Sequence, residues 1–264
     1  MTSPQHPYDP RARPWWRRVL LDALRDAWAL LMPVECAGCE RYDRALCSDC
    51  ASSLVAHPSI HSTPQHIPVH CSLRYEGRVR RVLLAFKNHH RTDLSRPLSA
   101  AFMPALWRAV EESTPSGQAS GEIEIVAVPS SRRAFRTRGY HPMLLVLRAA
   151  GVRHARALRV VQETRSQKLL NAEERAVNVH GAFMATRSLA GIRVIIVDDV
   201  LTTGATIDEA ARAVVVAGGT VVAAVTIGFT PRTLAVRDIA SGEGYGMEKG
   251  AKWKLPHGAA AHDG

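Results

Sequence analysis

Val194-Ile-Ile-Val-Asp-Asp-Val-Leu-Thr-Thr-Gly-Ala-Thr206 is the stretch that decides how this chain folds. Four consecutive apolar residues, 194–197, predict a strand covered on both faces, as at the centre of a parallel sheet. Two adjacent carboxylates, Asp198 and Asp199, would be costly inside such a core. They close the strand at its C-terminal end, however, which is where open α/β sheets bind ligands. Val200 and Leu201 then lead into Thr202, Thr203, Gly204, Ala205 and Thr206, a turn of small residues that opens the next helix. Backbone N–H groups and hydroxyls in such a turn face whatever lies at the helix N-terminus, and the helix dipole favours an anion there. Carboxylates that accept from vicinal hydroxyls, beside a nest that holds a phosphate, describe a grip on a ribose 5-phosphate. A lone Thr-Gly would be no more than a helix cap; the thirteen residues together are specific.

Outward from this stretch, apolar strands alternate with helices. Strands are predicted at 123–128, near 158–161, at 193–197 and at 220–227. Helices are predicted at about 141–150 and at 205–217, the latter stopped by Gly218-Gly219, with a polar loop over 162–180. Upstream, 78–86 and 94–110 read as helical, and 111–121 as a linker or exposed loop. This alternation implies an α/β domain, a parallel sheet flanked by helices with right-handed crossovers. Residues 73–232 are assigned to that domain. Residues 1–14 are Pro-rich and read as a disordered arm, and 233–264 as a disordered tail. Between arm and domain, 15–72 combines an amphipathic helix at about 17–32, a cysteine-bearing element and a loop rich in Pro, Ser and His to about 70. The helix carries Leu20, Leu21, Leu24, Ala27, Trp28 and Leu31 on one side and is read as packing on the domain.

A chain of 264 residues, 46% hydrophobic and 22% charged, supports a proper core and excludes collagen-like, coiled-coil and wholly disordered classes. The most apolar N-terminal segment is interrupted by Asp22, Arg25 and Asp26, which argues against a membrane span or a signal-peptide core, so a cytoplasmic location is expected. The net charge is +10, and only Lys87, Lys168, Lys249, Lys252 and Lys254 among the 34 basic residues are Lys. An Arg excess can reflect a GC-rich coding sequence. Eight Arg between Arg132 and Arg159, with no carboxylate among them, nonetheless form a patch suited to phosphate, pyrophosphate or nucleic acid.

Four of the five cysteines are spaced Cys36-x2-Cys39-x7-Cys47-x2-Cys50. Each pair can put two thiolates on one tight knuckle, and two knuckles complete a tetrahedral four-sulfur site. Zinc is favoured over iron, and over a disulfide or a redox pair in a reducing compartment. A closed four-thiolate site leaves no position for substrate, so the role is structural. Cys71 lies outside the array and reads as a small core residue. His57, His61, His66 and His70 read as solvated surface residues.

The 194–206 stretch resembles the 5-phosphoribosyl-1-pyrophosphate (PRPP) motif of type I phosphoribosyltransferases. Read with Cys36 to Cys50, Tyr75-Glu-Gly-Arg-Val-Arg with Lys87, Arg138-Gly-Tyr-His and Gln167-Lys-Leu-Leu with Arg175, Asn178 and Gly181-Ala-Phe183, it resembles the ComF family. These are competence-associated, phosphoribosyltransferase-like proteins with an N-terminal four-cysteine zinc element. The resemblance spans about 30–230. It implies that Asp198 and Asp199 hold the ribose hydroxyls, directly or with Mg2+, and that 202–206 holds the 5-phosphate. It puts a pyrophosphate loop at Pro129-Ser130-Ser131 with Arg132 and Arg133 as clamps. Residues 163–179 match the flexible loop that closes over PRPP, with Gln167 and Arg175 at family positions. Arg175 is either a pyrophosphate contact or a loop anchor paired with Glu173, Glu174 or another acid. The family's Arg-Gly-Tyr is usually followed by Asn-Gln, whereas here it continues as His141-Pro142, an altered nucleophile pocket or a helix start.

The chemistry implied is displacement of pyrophosphate from PRPP by a nitrogen nucleophile, in a DNA-uptake setting. A second possibility is a non-catalytic single-stranded-DNA-binding or partner-docking protein on the same fold. The Arg patch and the arm from Arg11 to Arg18, with Trp15 and Trp16, would serve it, with a competence helicase or recombination protein as partner. A third is a nucleobase-salvage enzyme, which would not need the cysteines.

Overall fold

The computed structural model describes residues 34–42, 44–114, 123–161 and 181–231. The strands are β1 (Ser59–Ser62), β2 (Pro68–Arg74), β3 (Ile123–Ala127), β4 (Leu158–Val160), β5 (Phe183–Ala185), β6 (Arg193–Leu201) and β7 (Thr220–Phe229). Five of them form one sheet in the order β1-β2-β7-β6-β3, with β1 antiparallel to β2 and every other pairing parallel. The helices are α1 (Ser48–Ser52), α2 (Gly77–Asn88), α3 (Ser95–Ser113), α4 (Arg132–Arg138), α5 (Pro142–Ala149) and α6 (Ala205–Val216). The predicted α/β architecture is therefore the one found. Among the described residues no helix is long and apolar enough to cross a membrane.

The apolar run at 194–197 does what its composition dictates. Ile195 and Val197 enter one core cluster, Val194 and Ile196 the other, and all four are fully buried. Residues from α2, α3 and α5 (Val82, Phe86, Leu98, Phe102, Val146 and Leu147) cover the first face. The second is covered by α6 (Ile207, Ala210, Val214) and by Leu158 and Phe183 of the antiparallel β4–β5 ribbon. Helix α6 stops where two glycines stand. Gly218 adopts φ +86°, and the N–H groups of Gly218 and Gly219 donate to Val215 and Val214 O at 2.9 and 3.0 Å, which satisfies carbonyls the helix leaves open.

A buried ion pair ties the ribbon to α6. Glu209, 5% exposed, accepts the Phe183 N–H at 3.1 Å and pairs with Arg212 at 2.7 Å, while Arg212 donates to Phe183 O at 3.0 Å. Burial pushes the Glu209 carboxyl up, but Arg212 and the Phe183 N–H outweigh it and hold the carboxyl below its ordinary range.

Two expectations require correction. The loop read as running to about 70 contains β1 and β2, and β2 is an interior strand of the main sheet, pairing with β7. Its run Val69-His-Cys-Ser-Leu73 is buried throughout, so three of the five side chains that face the core are polar or sulfur-bearing and mask the apolar signal. For the same reason His70 is not solvated. It is 3% exposed, with Nε2 3.7 Å from a Glu112 carboxylate oxygen, and burial lowers its pKa. His61 is half-buried and lies tilted against Phe229 with ring centroids 4.0 Å apart, whereas His57 and His66 are exposed. Cys71 is fully buried and accepts a hydrogen bond from Thr226 Oγ1 at 3.1 Å.

Candidate functional site

The C-terminal ends of the parallel strands share one rim, and the quoted stretch lies on it. Asp198 and Asp199 stand in the last half of β6. The strand continues through Val200, which is half-buried, and Leu201, which is 1% exposed and packed in the core. Leu201 O accepts the Thr230 N–H at 3.0 Å, which fixes where the chain leaves the sheet. Thr202, Thr203, Gly204, Ala205 and Thr206 then turn into α6. Gly204 is required there twice over. Its φ is +82°, and a Cβ would lie 3.0 Å from both Pro64 Cδ and Thr63 Cβ.

The acid pair is already engaged. Asp198 Oδ1 accepts the Asp199 N–H at 2.8 Å, and Asp199 Oδ2 lies 2.5 Å from Lys87 Nζ in the last turn of α2. Burial, and then the charge of Asp199, push Asp198 up to about 7, against the pull of Lys87 and the Asp199 N–H. Burial disfavours the charged Lys87, but Asp199 and Asp198 outweigh burial and the nearby Arg138, so its pKa is raised. Mg2+, implied by the family resemblance, would meet a pair in which Asp199 is committed to the Lys87 ammonium and Asp198 already accepts the Asp199 N–H. The pair so arranged does not fit a directly coordinated Mg2+.

Beside the acid pair a cavity of about 130 Å³ opens between the ends of β3 and β6. Its walls include Pro129 and Ser130, Asp198 and Asp199, and on the far side Arg138, His141 and Arg156. Two of the three expected pyrophosphate-loop residues thus face the acid pair. The third, Ser131, caps α4 by accepting the Ala134 N–H at 3.1 Å. Arg132 and Arg133 are exposed and absent from the cavity wall, because they begin α4 on its outer side. The cavity's cations are Arg138 and Arg156, which sequence reasoning did not single out, although Arg138 belongs to the quoted Arg-Gly-Tyr motif.

That motif is built around a reversal. Gly139, at φ +72°, closes α4, and Tyr140 turns back so that its hydroxyl donates to Phe86 O, next to Lys87. His141 then stacks on Phe135 with ring centroids 4.7 Å apart, and burial followed by Arg156 lowers its pKa. Pro142 occupies the first turn of α5. Of the two readings of the His-Pro departure, the helix start is the one found, at Pro142, while His141 stands in the cavity wall. The loop at 163–179 with Gln167 and Arg175, the helix at 17–32 and the basic arm all lie outside the described residues.

The cysteine array fits zinc. The sulfurs of Cys36, Cys39, Cys47 and Cys50 all lie within 4.8 Å of one another, and Cys39 Sγ is 3.7 Å from Cys47 Sγ. A tetrahedron with Zn–S bonds near 2.3 Å has an edge of roughly 3.8 Å. Cys36 Sγ accepts the Cys47 N–H at 3.3 Å. Burial raises the Cys36 thiol, but N–H donors from Cys47, Gly38 and Cys39 bring it down to about 6. Gly38 lets the knuckle close, since a Cβ there would lie 2.6 Å from Cys50 Sγ. The element rests on α2, where Arg81 donates to Gly38 O at 2.5 Å and Arg78 to Asp49 O at 3.1 Å. Arg91 adds bonds to Glu35 O and Ala45 O, both at 2.9 Å.

Residues 144–241 match the model of the phosphoribosyl transferase domain. Among solved structures, the chain is similar to an adenine phosphoribosyltransferase (21% identity over 69% of this chain and 90% of that one, TM-score 0.35). It is also similar to a hypoxanthine phosphoribosyltransferase from Staphylococcus aureus (10% identity, 57% and 68% covered, TM-score 0.29). A third is the adenine phosphoribosyltransferase from Leishmania tarentolae (13% identity, 67% and 96% covered, TM-score 0.31). No curated protein matches the chain in sequence. The domain match, together with the mostly parallel sheet, defines a phosphoribosyltransferase-like α/β domain joined to a four-cysteine element that can hold zinc.

Proposed function

We propose that the chain binds PRPP at the rim of its sheet and transfers the phosphoribosyl group to a nitrogen nucleophile, as a ComF-type protein in a DNA-uptake setting in the cytoplasm. The observation that carries this reading is the convergence of the acid pair, the Pro129–Ser130 loop and the guanidinium-bearing Arg138 and Arg156 around one cavity, with the threonine turn following the acid pair in the chain at the start of α6. The turn at 202–206 anchors the 5-phosphate at the N-terminus of α6. Asp198 and Asp199 accept the ribose hydroxyls, and Arg138 and Arg156 offer guanidinium groups to the pyrophosphate. With the sugar held at both ends, the line of attack on its anomeric carbon is fixed. In the reaction the bond from that carbon to the pyrophosphate oxygen breaks, a carbon–nitrogen bond forms, and the nitrogen gives up its proton. Mg2+ supplies charge neutralisation on the leaving pyrophosphate when it arrives with PRPP. Zinc at the four cysteines is structural.

A second reading, single-stranded DNA binding without turnover, is favoured by the exposure of Arg132, Arg133, Arg136, Arg148, Arg153, Arg156 and Arg159. The competence helicase or recombination partner and the nucleobase-salvage alternative rest on resemblance alone. The deciding experiment measures pyrophosphate release from PRPP across a panel of nucleobases and other nitrogen nucleophiles. Acceptor-dependent release supports transfer. Bound PRPP with no release from any acceptor, together with salt-sensitive binding of single-stranded DNA, supports the second reading.

A further inference from the structure

The acid pair poses an electrostatic problem that the proposed ligand makes worse. PRPP is a polyanion, and two adjacent carboxylates at a partly buried rim repel it unless a cation stands with them. Lys87 is that cation. Its Nζ lies 2.5 Å from Asp199 Oδ2, with the lysine side chain 35% and the aspartate 17% exposed, so solvent screens the pair less than a surface contact. Asp199 lines the cavity, whereas Lys87 is not in its wall; the lysine acts on the ligand through the carboxylate it holds. Its position is built rather than incidental. Helix α2 is gripped near its start by the cysteine element, through Arg78 and Arg81, and near its end by the Tyr140 hydroxyl on the Phe86 carbonyl. The charged groups facing Lys87 are Asp199 and Asp198, with Arg138 opposing.

We infer that Lys87, fixed against Asp199 by helix α2, is a positioning residue that takes the part of a directly bound divalent cation at the acid pair and lets the site accept PRPP without metal on its carboxylates. This rests on reading the acid pair as the sugar site. An ammonium offers three donors, so one can remain on Asp199 while the carboxylates keep lone pairs for hydroxyls. The arrangement also accounts for the poor fit of Mg2+ at this pair.

The test is calorimetric titration of PRPP into the full zinc-loaded chain, in buffer passed over chelating resin and again with Mg2+ in excess. The wild-type affinity should change by less than about threefold between the two conditions. Lys87→Gln should bind roughly ten- to a hundredfold more weakly without Mg2+, the loss expected for one charge-assisted contact, and should recover in part when Mg2+ is added. Lys87→Arg, which keeps the charge, should follow the wild type, and melting curves of the unliganded variants establish that they are folded. A wild-type protein that binds only with Mg2+, or a Lys87→Gln variant that matches it in both buffers, overturns the inference while leaving the sugar site standing. If Asp198→Asn with Asp199→Asn binds as tightly as the wild type, or the wild type binds nothing in either buffer, the sugar-site reading falls and takes the inference with it.

Discussion

The cysteine element and strand β6 are held in opposite ways. The element, residues 36–50, is too short to bury a core; its fully buried residues are Cys36 and Cys50, and its order comes from four sulfurs drawn together. Strand β6 has no covalent or metal constraint and is ordered by burial on both faces. Chemistry specifies one region and solvent exclusion the other, and α2 joins them, with Arg78 and Arg81 toward the sulfurs and Lys87 toward the acid pair. The comparison teaches that removing metal should act locally on the fold, while a cavity in the sheet should act globally.

The largest effect should come from breaking the sulfur site. Cys36→Ser with Cys39→Ser should reduce zinc from one per chain to none by elemental analysis and abolish hydrogen-exchange protection over 36–50. Structural zinc of this kind carries apparent binding free energies of about 10–16 kcal/mol. Protection in β6 and β7 should persist; its loss would mean the two regions are one cooperative unit. Next, Ile195→Ala should lower unfolding free energy by about 2–5 kcal/mol in denaturant titrations while zinc content stays at one per chain.

Smaller in turn is the effect of Glu209→Gln, about 1–3 kcal/mol, since it weakens a buried bond to the Phe183 N–H and leaves Arg212 without its charge partner. Here pH sharpens the comparison. Because the folded Glu209 pKa is lowered from 4.5, its stabilisation is fully present above that value and is lost as pH falls through the lower folded value. The gap between wild type and Glu209→Gln should therefore close in acid, as pH falls below the ordinary glutamate range and through the lowered folded pKa. A gap that stays constant to low pH would refute an ionised Glu209. Tyr140→Phe should cost least in stability, about 0.5–1.5 kcal/mol. It removes the bond that steadies Phe86 and Lys87, so PRPP binding should weaken even where melting barely changes.

Much of this arrangement was legible in the residues. The run at 194–197 has no reading but a strand covered on both sides, and Gly218-Gly219 ended α6 within two residues of the predicted stop. The cysteine spacing announced a four-sulfur cluster because knuckle geometry depends on local chain alone. The acid pair was visible because carboxylates in an apolar strand need a reason. What stayed hidden depended on contacts distant in sequence. Strand β2 was masked by His70, Cys71 and Ser72, whose burial comes from α3 and β7. Arg138 and Arg156 reach the cavity only after the turn at Gly139 and the return of the chain at β4, so Arg132 and Arg133, nearer the loop in sequence, drew the assignment. Lys87 was quoted as part of a motif, but its partner lies more than a hundred residues away.

The most direct test of the sugar-phosphate site is a PRPP titration of the wild type against Asp198→Asn with Asp199→Asn, followed by calorimetry at fixed salt. The site described here predicts saturable wild-type binding at one PRPP per chain and none in the double variant, with both proteins holding one zinc. Equal binding by the two would contradict it.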